Sequence, residues 1–154
     1  MFGLPFVHVP VPASEAAKAA AFSSIRDEVD VHAPDAIVLA RFMQVVPADL
    51  CDAWSGRLIN IHHGFLPSFR GARPYHQAYA RGVKIIGATC HYVTAELDEG
   101  PIIDQDVIRV DHADSAADMA RRGRDIEKAV LARGLTYHLQ NRVLRDGART
   151  IIFS

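Results

Sequence analysis

"DAIVLARFMQVVPADLCDAWSGRLINI", residues 35–61, holds two short apolar runs with a helical segment between them. "DAIVLARF" has the composition of a buried strand, and "PADLCDAWSG" reads as a one-to-two-turn helix with Pro47 at its start and Gly56 past its end. "RLINI" is the next strand. Upstream, "SEAAKAAAFSSIRDEVDVH" is rich in good helix formers, with Ser14 as N-cap and Pro34 as terminator, and "PFVHVPVP" before it reads as a short strand closed by prolines. This succession of strand, helix, strand, helix and strand is the mark of α/β architecture with a largely parallel sheet, whose ligands bind beyond the carboxyl ends of strands.

Downstream the pattern changes. "PYHQAYARG" makes a short helix from Pro74 to a Gly82 C-cap, and "KIIGATCHYV" and "PIIDQDVIRV" read as two antiparallel strands joined by "TAELDEG". Ser115 and Asp118 form a capping-box start for a long helix running to about Arg142, with Gly123 and Gly134 weakening it. "VLRDGARTIIF" reads as a hairpin turning at Asp146-Gly147. Without repeats, low-complexity tracts or linkers, one domain over residues 1–154 is expected.

At 154 residues a single core is feasible, since folding at that size buries roughly 68–70% of the extended-chain surface. With 49% hydrophobic and 23% charged residues, the chain belongs with folded rather than disordered proteins. A net charge of −1 gives no overall field toward nucleic acid or an anionic membrane, so neither is an expected partner. Arg121, Arg122 and Arg124, followed by Asp125, Glu127 and Lys128, read as a mixed solvated helix face. Two cysteines, Cys51 and Cys90, form no C-x-x-C motif, which fits a reducing cytoplasm; no export signal or membrane-length apolar run is evident.

The candidate chemistry lies in "INIHHGFLPSFRGARPYH", residues 59–76. Residues two apart on a strand face one side, so Asn60 and His62 project together while Ile59 and Ile61 enter the core. An amide donor beside an imidazole suits a developing oxyanion on an attacked carbonyl. Asp98, in the tight "ELDEGP" loop, is the leading candidate to activate a nucleophile, with Glu96 and Glu99 as competitors. On residue types alone, an Asn capping a loop and a His satisfied by backbone remain open. A zinc reading from His62, His63, His76, His91 and Asp98 lacks H-x-x-x-H or H-E-x-x-H spacing, and His62 and His63 would point to opposite faces if the strand continued through them. No Walker or G-x-G-x-x-G motif is present.

"INIHHGFLPSFRGARPYHQAYARGVKIIGATCHYVTAELDEGPIIDQDVIRVDH", with "VLARFMQVV" before it and "GRDIEKAVLARGL" after it, closely resembles the catalytic domain of the formyltetrahydrofolate deformylases, within the folate-dependent formyltransferase superfamily. The N-x-H at a strand end with its Leu-Pro loop, and the L-D-x-G-P segment, carry the superfamily resemblance; "GARPYHQAY" and "GATCHYV" are similar to the deformylase branch. The resemblance implies a Rossmann-like formyltransferase fold, mainly parallel with a C-terminal antiparallel portion. It implies hydrolysis of 10-formyltetrahydrofolate to tetrahydrofolate and formate, in one-carbon and purine metabolism, with no permanently bound cofactor and no metal. Asn60, His62 and Asp98 match the family's catalytic residues. The folate site would be lined by Arg41, Phe42, Met43, Val45, Thr94, Glu96 and Leu97, with His91 positioning Asp98 by hydrogen bonding.

For Phe42 and Met43 plain core packing is the alternative. Arg70 and Arg73 are candidates to meet folate glutamate carboxylates, with a solvated loop as the equal alternative. At Gly64 the wider family usually has Ser. The resemblance also implies an N-terminally truncated fold, lacking the ACT-like domain and the first strand–helix–strand portion, so that "FVHV" and "AIVLA" leave unpaired edges. A folate-dependent formyltransferase and a non-catalytic folate-binding fragment stay open as functions. The expected partner is the small-molecule folate, with a second copy of the chain left open.

Overall fold

Residues 3–153 are described by a computed structural model. They divide into two compact units, one ending at Pro34 and the other beginning at Asp35. In the first, α1 (Glu15–His32) follows Ser14 in extended conformation and ends where Ala33 turns left-handed, φ 40°, immediately before Pro34. Residues 3–12 form neither helix nor strand, so the strand expected in "PFVHVPVP" is not formed. Phe6 and Val7 are 86% and 54% exposed, and an apolar run becomes a strand only when a neighbour takes its backbone hydrogen bonds.

The second unit carries a four-stranded sheet in the order β1-β2-β3-β4: β1 (Ile37–Leu39), β2 (Leu58–His62), β3 (Ile85–Tyr92) and β4 (Ile102–Arg109). β1 and β2 are parallel, joined through α2 (Ala48–Ala53), whereas β2–β3 and β3–β4 are antiparallel. The α/β architecture is as the sequence implies, and in this chain its antiparallel portion is the larger. β1 stands at the sheet edge. A separate hairpin, β5 (Val143–Asp146) and β6 (Arg149–Ile152), turns through Gly147-Ala148, one residue later than expected, with Gly147 at φ 60°.

The pairing register explains how the sheet becomes two-faced. Ile59 pairs with Tyr92 and Ile61 with Cys90, so these apolar side chains share one face. That face packs on α4 (Ala116–Leu139), where Ile126 and Val130 join Ile59, Ala88, Cys90, Tyr92 and Ile103 in the main core. Ile86 continues the same face into a second cluster with Tyr75 and Ala78 of α3 (Pro74–Arg81) and Met119 of α4. Asn60 pairs with His91 and His62 with Thr89, which places four polar side chains on the opposite face.

α4 begins at a reciprocal capping box between Ser115 and Asp118. Its two glycines are packing devices rather than weak points. A Cβ on Gly123 would stand 2.0 Å from the Tyr75 hydroxyl, and one on Gly134 would stand 2.5 Å from Cys90 Sγ. The arginine cluster is ion-paired at the surface, Arg121 with Asp118 and Arg122 with Asp114.

Gly134→Val forces a branched side chain against Cys90, which is fully buried and has no room to yield. It should lower stability by about 1–3 kcal/mol, read as a lower urea midpoint with an unchanged slope.

Candidate active site

The polar face of β2 and β3 forms the floor of a cleft of about 190 Å³. Two chain segments wall it: residues 41–46, which follow the carboxyl end of β1, and residues 93–98, which fold back across the sheet after β3. The location therefore combines the carboxyl end of the parallel pair with the sheet face turned away from α4. Asn60, His62, His91 and Asp98 all line it.

Asp98 is the organising group. Its backbone is left-handed, φ 56°, a conformation Asp tolerates better than most residues, and this aims the carboxylate inward until its side chain is only 7% exposed. Oδ1 lies 3.4 Å from His62 Nδ1, and the Gly71 N–H donates to Oδ2 at 3.0 Å. Burial alone would raise the carboxyl pKa, but the His62 contact, the Gly71 N–H and the adjoining imidazoles outweigh it and lower it to about 2. Of its competitors, Glu99 pairs with Arg70 at the surface and Glu96 is exposed.

The histidines are committed in different ways. His62 donates from Nε2 to the Phe69 carbonyl at 3.1 Å while Nδ1 faces Asp98, so both ring nitrogens confront oxygen acceptors. His91 donates from Nδ1 to the Tyr92 carbonyl at 2.9 Å, which leaves Nε2 to accept from Asn60 Nδ2 at 3.2 Å. Burial pushes His91 below the usual imidazole range, against that backbone hydrogen bond and nearby Asp98. His91 Nε2 is 3.9 Å from Asp98 and already holds the Asn60 amide. The expected hydrogen bond from His91 to Asp98 is thus replaced by one that orients Asn60, and His62 and Gly71 hold the carboxylate.

Thr89 and Gln105 went unnoticed in the sequence. Thr89, fully buried, donates to the Gly64 carbonyl at 2.8 Å and accepts from the Leu66 N–H at 3.1 Å and from Gln105 Nε2 at 2.9 Å. Gln105 also donates to the Leu66 carbonyl at 2.9 Å. Together they pin the loop after β2, in which the Leu66-Pro67 peptide is cis. Strand alternation from His91 would have put Thr89 on this face, whereas nothing in the local sequence marks Gln105. At Gly64, a Cβ would stand 2.9 Å from His62 Nε2 and 3.3 Å from the Phe69 carbonyl. Any side chain there would have to disturb the contact between those two groups.

The remaining predicted contacts line the cleft as well: Arg41, Phe42, Met43 and Val45 on one wall, Thr94, Glu96 and Leu97 on the other. Met43, at 64% exposure, is not core. Arg70 and Arg73 are absent from the wall; Arg70 pairs with Glu99, and Arg73, left-handed at φ 56°, precedes α3. Among the described residues, no group of three or more His, Cys, Asp or Glu side chains is arranged to hold a metal ion, and no helix is long and apolar enough to cross a membrane.

Fold and cleft together define the class: an α/β domain that gathers buried polar groups on one sheet face, beside the carboxyl end of a parallel strand pair. The chain belongs to the formyl transferase family, which residues 5–135 match. It is 59% identical over 126 residues to a formyltetrahydrofolate deformylase of Escherichia coli O6:H1, covering 82% of this chain and 45% of that protein. The crystal structure of a formyltetrahydrofolate deformylase from Pseudomonas syringae pv. tomato superposes with a TM-score of 0.94 at 56% identity, covering 98% of this chain and 50% of that one. A glycinamide ribonucleotide transformylase from Symbiobacterium toebii gives a TM-score of 0.85 at 31% identity, covering 92% of this chain and 66% of that one. The chain thus spans about half the length of the deformylases it matches.

Two stability predictions follow from this geometry. Because the Asp98 pKa is lowered in the folded state, its ionisation stabilises the fold above about pH 4, and that contribution, about 2 kcal/mol, disappears as pH falls toward 2. Urea unfolding of wild type and Asp98→Asn should therefore converge in acid. Thr89→Val leaves the Leu66 N–H and the Gly64 carbonyl without their partner and should cost about 1–3 kcal/mol in the same measurement.

Proposed function

We propose that the chain carries the site of a formyltetrahydrofolate deformylase, which hydrolyses 10-formyltetrahydrofolate to tetrahydrofolate and formate. The observation that carries this reading is the convergence of Asn60, His62 and an ionised Asp98 on one cleft. Asn60 is oriented through one amide N–H by His91, which leaves the other to donate to the formyl oxygen. His62 exchanges the Phe69 carbonyl for the same oxygen as it becomes anionic. Asp98, through or beside His62, orients and polarises the water. Water attacks the formyl carbon, the carbon–nitrogen bond breaks, and the leaving nitrogen is protonated.

The walls support a flat heteroaromatic substrate. Met43, Val45 and Leu97 are 64%, 55% and 56% exposed around the polar floor, an apolar rim of the kind that closes on rings. The reading needs no cofactor besides the folate. The two free, buried cysteines support a reducing, cytoplasmic setting.

Transfer of the formyl group to an amine would use the same polarising groups, and the transformylase likeness keeps it as the second reading. Identities of 59% and 56% to the two deformylases above, against 31% to that transformylase, favour water as acceptor. Formate release from 10-formyltetrahydrofolate without an added amine is the discriminating assay. Asn60→Ala should lower its rate about 10²–10³-fold by removing one oxyanion donor. Near-full activity in that variant would remove Asn60 from the mechanism, and folate binding without formate release in the wild type would leave only a binding role.

A further inference from the structure

Among the described residues, His63 is the titratable residue of the cleft to which the foregoing assigns no role. Because β2 ends at His62, strand alternation does not carry through to the next residue. The His63 ring stacks on His62, with centroids 5.6 Å apart and planes at 26°, rather than pointing to the opposite face. It lines the same cleft as Asn60, His62 and Asp98. Its other neighbour is Tyr75, 6.1 Å between centroids, whose hydroxyl donates to Glu127 at 2.7 Å.

What separates His63 from the other imidazoles of the cleft is that its nitrogens are unengaged. His91 has both nitrogens hydrogen-bonded, and both nitrogens of His62 face oxygens. Among the described residues, neither ring nitrogen of His63 has a hydrogen-bond partner, and no buried side-chain nitrogen lacks one, so those of His63 remain in contact with solvent. Asp98, whose carboxyl sits at about 2, holds a water well but accepts a proton poorly near neutrality.

Resting on the hydrolase reading, we propose that His63 is the proton carrier of the site. As the water oxygen bonds to the formyl carbon, a water proton passes to the free His63 nitrogen. As the carbon–nitrogen bond breaks, the same proton passes to the leaving nitrogen, which departs as the neutral amine with its electron pair. The second water proton leaves with formic acid, which ionises to formate, so atoms and charge balance with water as the sole co-reactant.

The charged and titratable surroundings suit this task. Burial pushes the His63 pKa below the usual imidazole range, with His62 on β2 and Arg41 after β1 acting in the same direction. Glu127 on α4 and Asp98 on its loop oppose them, and Tyr75 on α3 adjoins the ring as a neutral phenol. Near neutral pH the imidazole is therefore in its proton-accepting form.

The test is formate release from 10-formyltetrahydrofolate by the 154-residue chain across pH, comparing wild type, His63→Gln and His63→Ala. His63→Gln should lower kcat about 100-fold with little change in KM, and the acid limb of the wild-type kcat/KM profile should vanish. Added imidazole should restore part of the His63→Ala rate saturably. A folded His63→Gln chain with wild-type kcat and an unchanged acid limb overturns the proposal while leaving the hydrolase reading intact. A wild-type chain that binds the folate and releases no formate overturns both.

Discussion

Asp98 ties the loop after β3 to the end of β2 and to the loop beyond it, beside the surface pair of Arg70 with Glu99. It sits on the loop after β3, yet its two oxygens are held by His62 at the end of β2 and by the Gly71 backbone in the loop beyond. A carboxylate removed from water requires such donors, and here they exceed the cost of burial, since the group is more acidic than a free carboxyl. The interaction therefore contributes to three things at once: the fold-back of residues 93–98, the orientation of the His62 ring, and the closure of the loop containing Gly71. Without it the His62 imidazole would keep its hydrogen bond to Phe69 and its stacking on His63.

The rest of the second unit can be understood as support for that contact. Period-two alternation on β2 and β3 sorts apolar side chains toward α4 and polar ones toward the cleft. Close approach of α4 at Gly123 and Gly134 seals the apolar face, and Thr89 with Gln105 satisfies the backbone of the loop on the polar face. Among the described residues no buried side-chain nitrogen or oxygen is left without a partner. A polar network this complete holds its members in one arrangement, because any shift leaves a buried group unsatisfied.

Much of this was legible in the sequence wherever local chemistry decides the outcome. The strands around "AIVLA", "RLINI", "KIIGATCHYV" and "PIIDQDVIRV", the capping box at Ser115 and the Gly82 terminus were all evident from pattern and turn residues. Residue types and spacing single out Asn60, His62 and Asp98, and the family resemblance adds both cleft walls. What failed depended on distant partners. "FVHV" has strand composition without a neighbour to complete it. Gly123 and Gly134 read as helix-weakening until Tyr75 and Cys90 are placed against them. The resemblance implies a hydrogen bond from His91 to Asp98, whereas tautomer logic through the Tyr92 carbonyl turns its free nitrogen toward Asn60. Gln105 was invisible because its role exists only once β3 and β4 pair.

The cleft also shows why holding a water and accepting its proton fall to different groups. A group that binds a polar partner strongly does so because its charged form is stabilised, and the same stabilisation lowers its affinity for a proton. Asp98 lies at that limit, anchored by two donors and strongly acidic. His62 and His91 are likewise occupied by the contacts that shape the site. An imidazole able to gain and lose a proton during turnover must stand outside this network yet within reach of its ligand, half-buried and free of fixed partners. Stacking against His62 achieves this for His63, because a ring face can be packed while the nitrogens at its edge stay open. In the hydrolase reading, rigid groups define where charge develops and the one loosely held ring moves the proton, so neither requirement compromises the other.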